Sequence, residues 1–178
     1  FELSLKHLGT DYLDSLVLHG PSTGSGIVNA DKEAWKAIEA LQKAGKTKFI
    51  GISNVNYGQL AELYDLAEVK PTFVQNRCYA RMGWDHPIRE FCQTKGIIYQ
   101  GFSLLTANPE VFQDQGFSAL IEKYEKTPAQ LVFQFSRQLG MLPLTGTTNP
   151  VHMAEDIKSF DFELTEDEMK HLEGFAVR

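Results

Sequence analysis

Phe49-Ile50-Gly51-Ile52-Ser53-Asn54 is a short apolar run that ends in a hydroxyl and an amide. Four other segments have the same form: Leu13-Asp14-Ser15-Leu16-Val17-Leu18-His19, Thr72-Phe73-Val74-Gln75, Ile97-Ile98-Tyr99-Gln100-Gly101-Phe102-Ser103 and Met141-Leu142-Pro143-Leu144-Thr145. A helix-patterned stretch follows each one. Buried parallel strands that release polar groups at their C-terminal ends are how α/β barrels and doubly wound sheets build active sites. The series therefore predicts an α/β fold and the edge on which its chemistry sits. Five such units are fewer than a closed eight-stranded barrel contains.

The stretches between the runs read as helices. Phe1 to Leu8 is the end of a helix closed by Gly9. Asp31 is the expected N-cap of a helix to Ala44, with Trp35, Ile38 and Leu41 inward. Tyr57 to Ala67 and Pro87 to Lys95 follow, the latter ended by Gly96. Phe117 to Glu125 is a short helix. Thr127-Pro128-Ala129-Gln130 is a capping box with proline at the first helical position, opening a helix to Leu139. Asn149-Pro150 opens a helix to Phe160, and Thr165 to Glu168 is a second capping box. The alternation has the spacing of βαβ units, and no linker interrupts it, so residues 1–178 are expected to form one domain. A helix that begins in mid-pattern at Phe1 points to part of a longer chain.

Composition narrows the partners. A net charge of −6 argues against nucleic acid or an anionic membrane surface. No apolar stretch approaches the roughly 20 residues that span a bilayer. No signal-peptide pattern is present, and two unpatterned cysteines, Cys78 and Cys92, read as reduced thiols, so a cytoplasmic setting is expected. No Cys/His spacing for a metal, no Walker loop and no nucleophile elbow occurs. No feature specifies an oligomeric state.

The candidate site residues sit at the ends of the five runs. His19 can serve as general acid/base or hydrogen-bond donor; the alternative is a histidine satisfied by backbone. Ser53 and Asn54 can bind an amide, or Asn54 can cap the next helix. Gln75 is either a ligand contact or part of a structural network. Phe102 can stack on a planar ring or fill the core. Thr145-Gly146-Thr147-Thr148-Asn149, before a helix N-terminus, suits a phosphate as well as it suits a capped turn. Adjacent Glu155 and Asp156 do not share a helix face, which argues against paired acid/base work. Asp14 reads as a buried charge with a structural hydrogen bond. His7, His86, His152 and His171 read mostly as surface residues.

Taken in order, these segments resemble the C-terminal part of an aldo-keto reductase. Ser4-Leu5-Lys6-His7-Leu8-Gly9-Thr10-Asp11-Tyr12-Leu13-Asp14, with Leu18-His19, resembles the segment that carries that family's catalytic histidine. Gly45-Lys46 through Gly51-Ile52-Ser53-Asn54 resembles another of its motifs, and Gly96-Ile97 through Gly101-Phe102-Ser103-Leu104-Leu105 the strand with the nicotinamide-stacking aromatic. Lys123-Tyr124 through Thr127-Pro128-Ala129-Gln130, and Phe160 through Thr165, are also similar.

The resemblance implies a (β/α)8 TIM-type barrel, of which this chain supplies about strands four to eight, their helices and a C-terminal helix. It implies hydride transfer from a nicotinamide cofactor to an aldehyde or ketone. By position, His19 is the catalytic histidine. Ser53, Asn54 and Gln75 would hold the nicotinamide carboxamide, with Phe102 in place of the usual tyrosine beneath the ring. Ser103, Leu105 and the loop from Thr145 to Asn149 would line the pyrophosphate and adenosine side, with Glu155 and Asp156 near adenine. His152 stands where many members have an arginine facing the 2′-phosphate of NADPH, and the preceding loop has no lysine or arginine. NADP(H) is thus implied by resemblance, with NAD(H) an alternative. Nothing matches the family's catalytic Tyr, Lys and Asp, so this chain alone is expected to bind cofactor poorly and not to turn over. Two other readings are a cofactor-sensing binding protein, since channel β-subunits share this fold, and a phosphate-binding barrel enzyme of another class.

Overall fold

The computed structural model describes residues 1–177, with side chains through residue 175. The elements alternate: α1 (Glu2–Leu8), β1 (Leu13–Leu18), α2 (Asn29–Lys43), β2 (Thr47–Ser53), α3 (Tyr57–Leu66), β3 (Phe73–Arg77), α4 (His86–Lys95) and β4 (Ile98–Phe102). They continue with α5 (Gln115–Tyr124), α6 (Pro128–Gln138), β5 (Leu142–Pro143), α7 (Pro150–Ile157) and α8 (Glu166–Glu173). Sheet order is chain order, β1-β2-β3-β4-β5. The pairs β1–β2, β2–β3 and β4–β5 are parallel, as βαβ connections require. No helix among the described residues is long and apolar enough to cross a membrane. The chain divides into two compact units, one of Phe1–Asn76 with Phe91–Ile98, the other of Arg77–Glu90 with the chain from Tyr99 onward.

In the first unit, register is set by β2. Gly51 pairs with Phe73, and a Cβ at position 51 would lie 2.6 Å from the Phe73 carbonyl oxygen. Only glycine lets the backbones pair there. Phe49 and Phe73 then meet edge to face at 5.9 Å. Ile50, Ile52, Leu60, Leu63, Val74 and Trp35 are buried beneath. β1 is less buried than its apolar run implies: Asp14 is exposed, so it needs no buried partner. Asp31 is not the N-cap of α2. That position is Val28, and Asp31, three residues on, accepts from the Val28 N–H at 3.1 Å and from the Ser22 N–H at 2.8 Å. Nor does Asn54 cap α3. Asn56 does, accepting from the Gln59 N–H at 2.9 Å while Gln59 accepts from the Asn56 N–H at 3.1 Å.

The second unit packs around Trp84, Phe117, Leu131, Phe135 and Leu172. Trp84 and Phe135 lie 5.0 Å apart. Gly83, Trp84 and Asp85 hold consecutive positive φ values of 71°, 54° and 59°. Such a run costs backbone strain, so other bonds must hold it. The Trp84 indole donates to the Leu172 carbonyl at 2.8 Å, Asp85 accepts from the Tyr99 hydroxyl at 2.8 Å, and Arg89 donates to the Trp84 carbonyl at 2.7 Å. The loop around Trp84 is thus part of the core. Cys78 and Cys92 are buried and form no disulfide among the described residues. Burial first, and then the Asp85 charge, pushes the Cys78 thiol up to about 12, which keeps it protonated and unreactive at neutral pH.

The predicted capping box at Thr127 and Gln130 forms, as does the one at Thr165 and Glu168. Glu168 does more than cap. It accepts from Lys123 at 2.7 Å, from the Tyr124 hydroxyl at 2.7 Å and from the Thr165 N–H at 2.7 Å, tying α8 to α5. Burial pushes this carboxyl up, but the bonds from Lys123, Thr165 and Tyr124 outweigh it and leave the pKa at about 2, below the ordinary 4.5. A depressed carboxyl stabilises the fold above its unfolded pKa and loses that effect as pH falls through the folded value. Stability to urea is therefore expected to fall between about pH 4.5 and pH 2, and Glu168→Gln is expected to flatten that slope.

Asn108 is fully buried. It accepts from the Ala80 N–H at 2.6 Å and donates to the carbonyls of Cys78 at 3.0 Å and Leu104 at 2.8 Å. Removing it strands three backbone groups. Asn108→Ala is expected to cost about 3–9 kcal/mol, read from urea denaturation of the intact protein, at roughly 1–3 kcal/mol per orphaned group.

Candidate functional site

Parallel register aligns the strand ends of the first unit. Leu18 pairs with Ile52 and Ser53 with Gln75, so His19, Ser53 and Gln75 follow one another across the edge. Hydrogen bonds lock the row. The Gln75 carbonyl accepts from the Ser53 hydroxyl at 2.6 Å and from the Asn54 N–H at 3.0 Å. The Asn54 side-chain amide donates to the His19 carbonyl at 2.7 Å. Asn54 reaches back this way because its φ is +53°, a left-handed conformation that asparagine tolerates better than most residues. Ser53 is buried at 3% exposure and braces the row. His19 and Asn54 are exposed and present their side chains. Asn54 Oδ1 has no hydrogen-bond partner among the described residues and is available to an N–H donor.

One residue of this region escaped the sequence reading. Asn76, at 6% exposure, accepts from the Val55 N–H at 3.0 Å and donates to the Val55 carbonyl at 2.7 Å. It fixes the chain that leaves Asn54. Its position beside Gln75 at a strand end was the available signal.

The second unit repeats the arrangement. Gly101 pairs with Pro143, and the Leu144 N–H donates to the Gly101 carbonyl at 2.9 Å. Ser103 therefore follows β4 where Thr145 follows β5, and Ser103 also turns left-handed, with φ +55°. Ser103, Leu105, Thr145 and Gly146 line a cavity of about 160 Å³, together with Leu104, Thr106, Phe133 and Leu144. The last four were not singled out from sequence. Asn108, through its bond to the Leu104 carbonyl, anchors the loop that supplies half of this lining. The Asn108-Pro109 dipeptide is a turn signal that could have drawn attention to it.

The remaining predicted residues are placed around this cavity or apart from it. Phe102 is half-buried, with the Arg77 guanidinium 5.9 Å from its ring centre. The Thr145 hydroxyl donates to Asp156 at 2.9 Å, linking the loop to α7. Thr147 accepts from the Asn149 N–H at 3.1 Å, and Asn149 accepts from the Val151 N–H at 2.9 Å as the N-cap of α7. These residues form the capped turn that the sequence allowed as one of its two readings. Thr148 and His152 are exposed. Glu155 is half-buried, and its backbone carbonyl accepts from Gln130 at 2.9 Å. His171 is no free surface histidine: its Nε2 lies 2.7 Å from the Asp114 carboxylate. No group of three potential metal ligands occurs among the described residues.

The comparisons with known proteins agree with one another. The sequence profile of the aldo/keto reductase family matches residues 1–108. An uncharacterized oxidoreductase of Bacillus subtilis, YtbE, is 34% identical over 174 residues, which make up 98% of this chain and 60% of that protein. An NADPH-dependent alpha-keto amide reductase of Saccharomyces cerevisiae is 33% identical over 177 residues, covering 94% of this chain and 57% of its own. The crystal structure of an aldo/keto reductase from Brucella melitensis aligns with a TM-score of 0.87 at 26% identity, over 98% of this chain and 65% of that one. The chain spans about 60% of the length of the curated relatives it matches. A profile that covers more than half the chain, relatives matched almost from end to end of it, and a parallel α/β sheet with the same backbone course together place the chain in the aldo/keto reductase family.

Proposed function

We propose that the chain is the cofactor-holding, C-terminal portion of an NAD(P)H-dependent carbonyl reductase, contributing about strands four to eight of a (β/α)8 barrel. The observation that carries this reading is the locked row His19, Ser53, Asn54 and Gln75. Its chemistry fits a carboxamide-bearing ring. Asn54 offers a free acceptor beside a fixed backbone, and Gln75 extends the row by a second amide. In the second unit, Ser103, Leu105, Thr145 and Gly146 would take the phosphate-linked part, since the space around Gly146 Cα is open. Phe102 would support the ring, and Thr147, Thr148, Asn149, His152, Glu155 and Asp156 would border the adenosine end. A bound nicotinamide cofactor supplies the hydride.

The chain's own residues then orient and polarise. Asn54 grips the His19 carbonyl and so fixes the imidazole's backbone, while the exposed imidazole donates to the substrate carbonyl oxygen and holds it in line. Ser53 keeps Asn54 and Gln75 in register from below. The yeast relative is named for its NADPH dependence. In this chain residues 144–157 include no lysine or arginine, so the reading is NAD(P)H without a strong preference. The substrate is a small aldehyde or ketone, and a cytoplasmic setting accords with two cysteines that form no disulfide among the described residues.

The direct test is oxidation of NADPH and NADH with a reactive aldehyde by the complete barrel, this chain joined to the earlier strands that carry the family's Tyr, Lys and Asp. Turnover supports the reductase reading; cofactor binding with negligible turnover would replace it with a cofactor sensor. In that assay His19→Ala is expected to lower kcat about 100-fold with little change in cofactor affinity, as removal of a carbonyl-oriented donor does elsewhere. Asn54→Ala is expected to weaken cofactor binding about tenfold by fluorescence titration, and to cost about 0.5–1.5 kcal/mol in urea unfolding as an exposed hydrogen bond is lost.

A further inference from the structure

The His19 imidazole is exposed and has no hydrogen-bond partner among the described residues. No side-chain bond aims it, so the backbone that carries it sets its direction. A group that orients a substrate is sensitive to such placement, since an error of about 1 Å can cost on the order of 100-fold in rate. Whatever holds residues 19–22 therefore bears on the work of His19.

The near end of this stretch is held at the strand edge. Asn54 donates to the His19 carbonyl at 2.7 Å. Gly20 lies close against the same edge: a Cβ there would stand 3.2 Å from the Ser53 carbonyl oxygen and 3.3 Å from the Asn54 Cβ. Pro21 has its own φ fixed by the ring. The far end is held by Asp31. Its Oδ1 accepts from the Ser22 N–H at 2.8 Å and from the Ser22 hydroxyl at 2.5 Å, while its Oδ2 accepts from the Val28 N–H at 3.1 Å. Asp31 is only 4% exposed, although Ser22 is on the surface. The bond from the Ser22 hydroxyl outweighs burial and holds this carboxyl below its ordinary pKa. It is therefore an anion at neutral pH, and its bonds are of the stronger, charge-assisted kind.

The rest of the loop is held from elsewhere. Gln59 donates to the carbonyls of Thr23 at 2.8 Å and Gly26 at 3.2 Å, and Asn56 donates to the Gly24 carbonyl at 3.1 Å. Those bonds begin at Thr23. Between Gly20 and Ser22, Asp31 is the one side chain among the described residues that grips the chain.

We propose that Asp31 is a positioning residue for His19. Through Ser22 it holds the chain just past the imidazole, as Asn54 holds it at the imidazole's own carbonyl. His19 then stands between two anchors, one on α2 and one in the turn before α3. The effect on turnover rests on the reductase reading; the hold on His19 does not.

The test uses the complete barrel. In protein labelled with 15N-histidine, the His19 backbone amide is the resonance absent from His19→Ala. Its order parameter is expected to be about 0.85 in the parent protein and to fall toward about 0.6 in Asp31→Ala. Ser22→Ala, a surface substitution that keeps the N–H bond, is expected to fall part of the way. The helical histidine amides are expected to keep their order, which separates a loosened loop from a lost fold. In turnover of a reactive aldehyde, Asp31→Ala is expected to lower kcat about tenfold with cofactor affinity unchanged. Asp31→Asn, which keeps an acceptor for Ser22, is expected to recover most of that loss. In the His19→Ala background Asp31→Ala is expected to lower kcat no further. An unchanged His19 order parameter in Asp31→Ala, or in Ser22→Ala if only that variant folds, would overturn the proposal. So would an equal loss of kcat in the His19→Ala background. A barrel that binds cofactor without turnover would remove the reductase reading instead, and the order parameters would still decide whether Asp31 holds His19.

Discussion

The close approach of β2 and β3 at Gly51 is the constraint on which the first unit depends. With the Phe73 carbonyl oxygen 2.6 Å from where a Cβ would stand, the two strands pair in this register only because residue 51 has no side chain. A slip by one residue would turn every side chain of β2 to the opposite face. Ile50 and Ile52 would exchange surroundings with their neighbours, and Ser53 would no longer meet Gln75. A single missing side chain therefore connects core packing to the alignment of His19, Ser53 and Gln75.

Both units end strands in the same way, with a non-glycine residue in the left-handed region. Asn54 follows β2 and Ser103 follows β4, with φ of 53° and 55°. Each such turn costs local strain, of order 1–3 kcal/mol. At Asn54 a side-chain bond to a neighbouring strand's carbonyl offsets that cost, and the same bond orders the backbone of His19. At Ser103 the loop is held by Asn108 through Leu104. Strain therefore sits at strand ends that carry candidate site residues, sustained at Asn54 by its own side chain and at Ser103 by a residue outside that set.

Much of this was legible in the sequence because it depends on local rules. Apolar runs located the strands to within a residue or two, and the box at Thr127 and Gln130 was readable since its two bonds lie within one helical turn. Strand-end polarity singled out His19, Ser53, Asn54 and Gln75 by residue type. What stayed hidden was which of them brace and which present. That division follows from partners many residues away: Ser53 bonds Gln75, and Asn54 bonds His19. Asp31 was misplaced by three positions because a carboxylate can accept backbone N–H groups equally from the N-cap or from the third helical residue. The apolar run around Asp14 suggests burial, whereas β1 has one strand neighbour in this sheet and leaves that side chain in water.

Asn76 offers Val55 both a donor and an acceptor, so one side chain stands in for the next rung of a β-ladder. Asn108 does similar work for Ala80, Cys78 and Leu104. Such anchors separate the strand ends from whatever the loops beyond them do. Insertions or exchanges past Val55, and separately past Leu104, can reshape the loop there without disturbing the strand end that it leaves. The two asparagines thus act as firebreaks for sequence drift: a loop can change in length or composition while the strand end before it stays as it is.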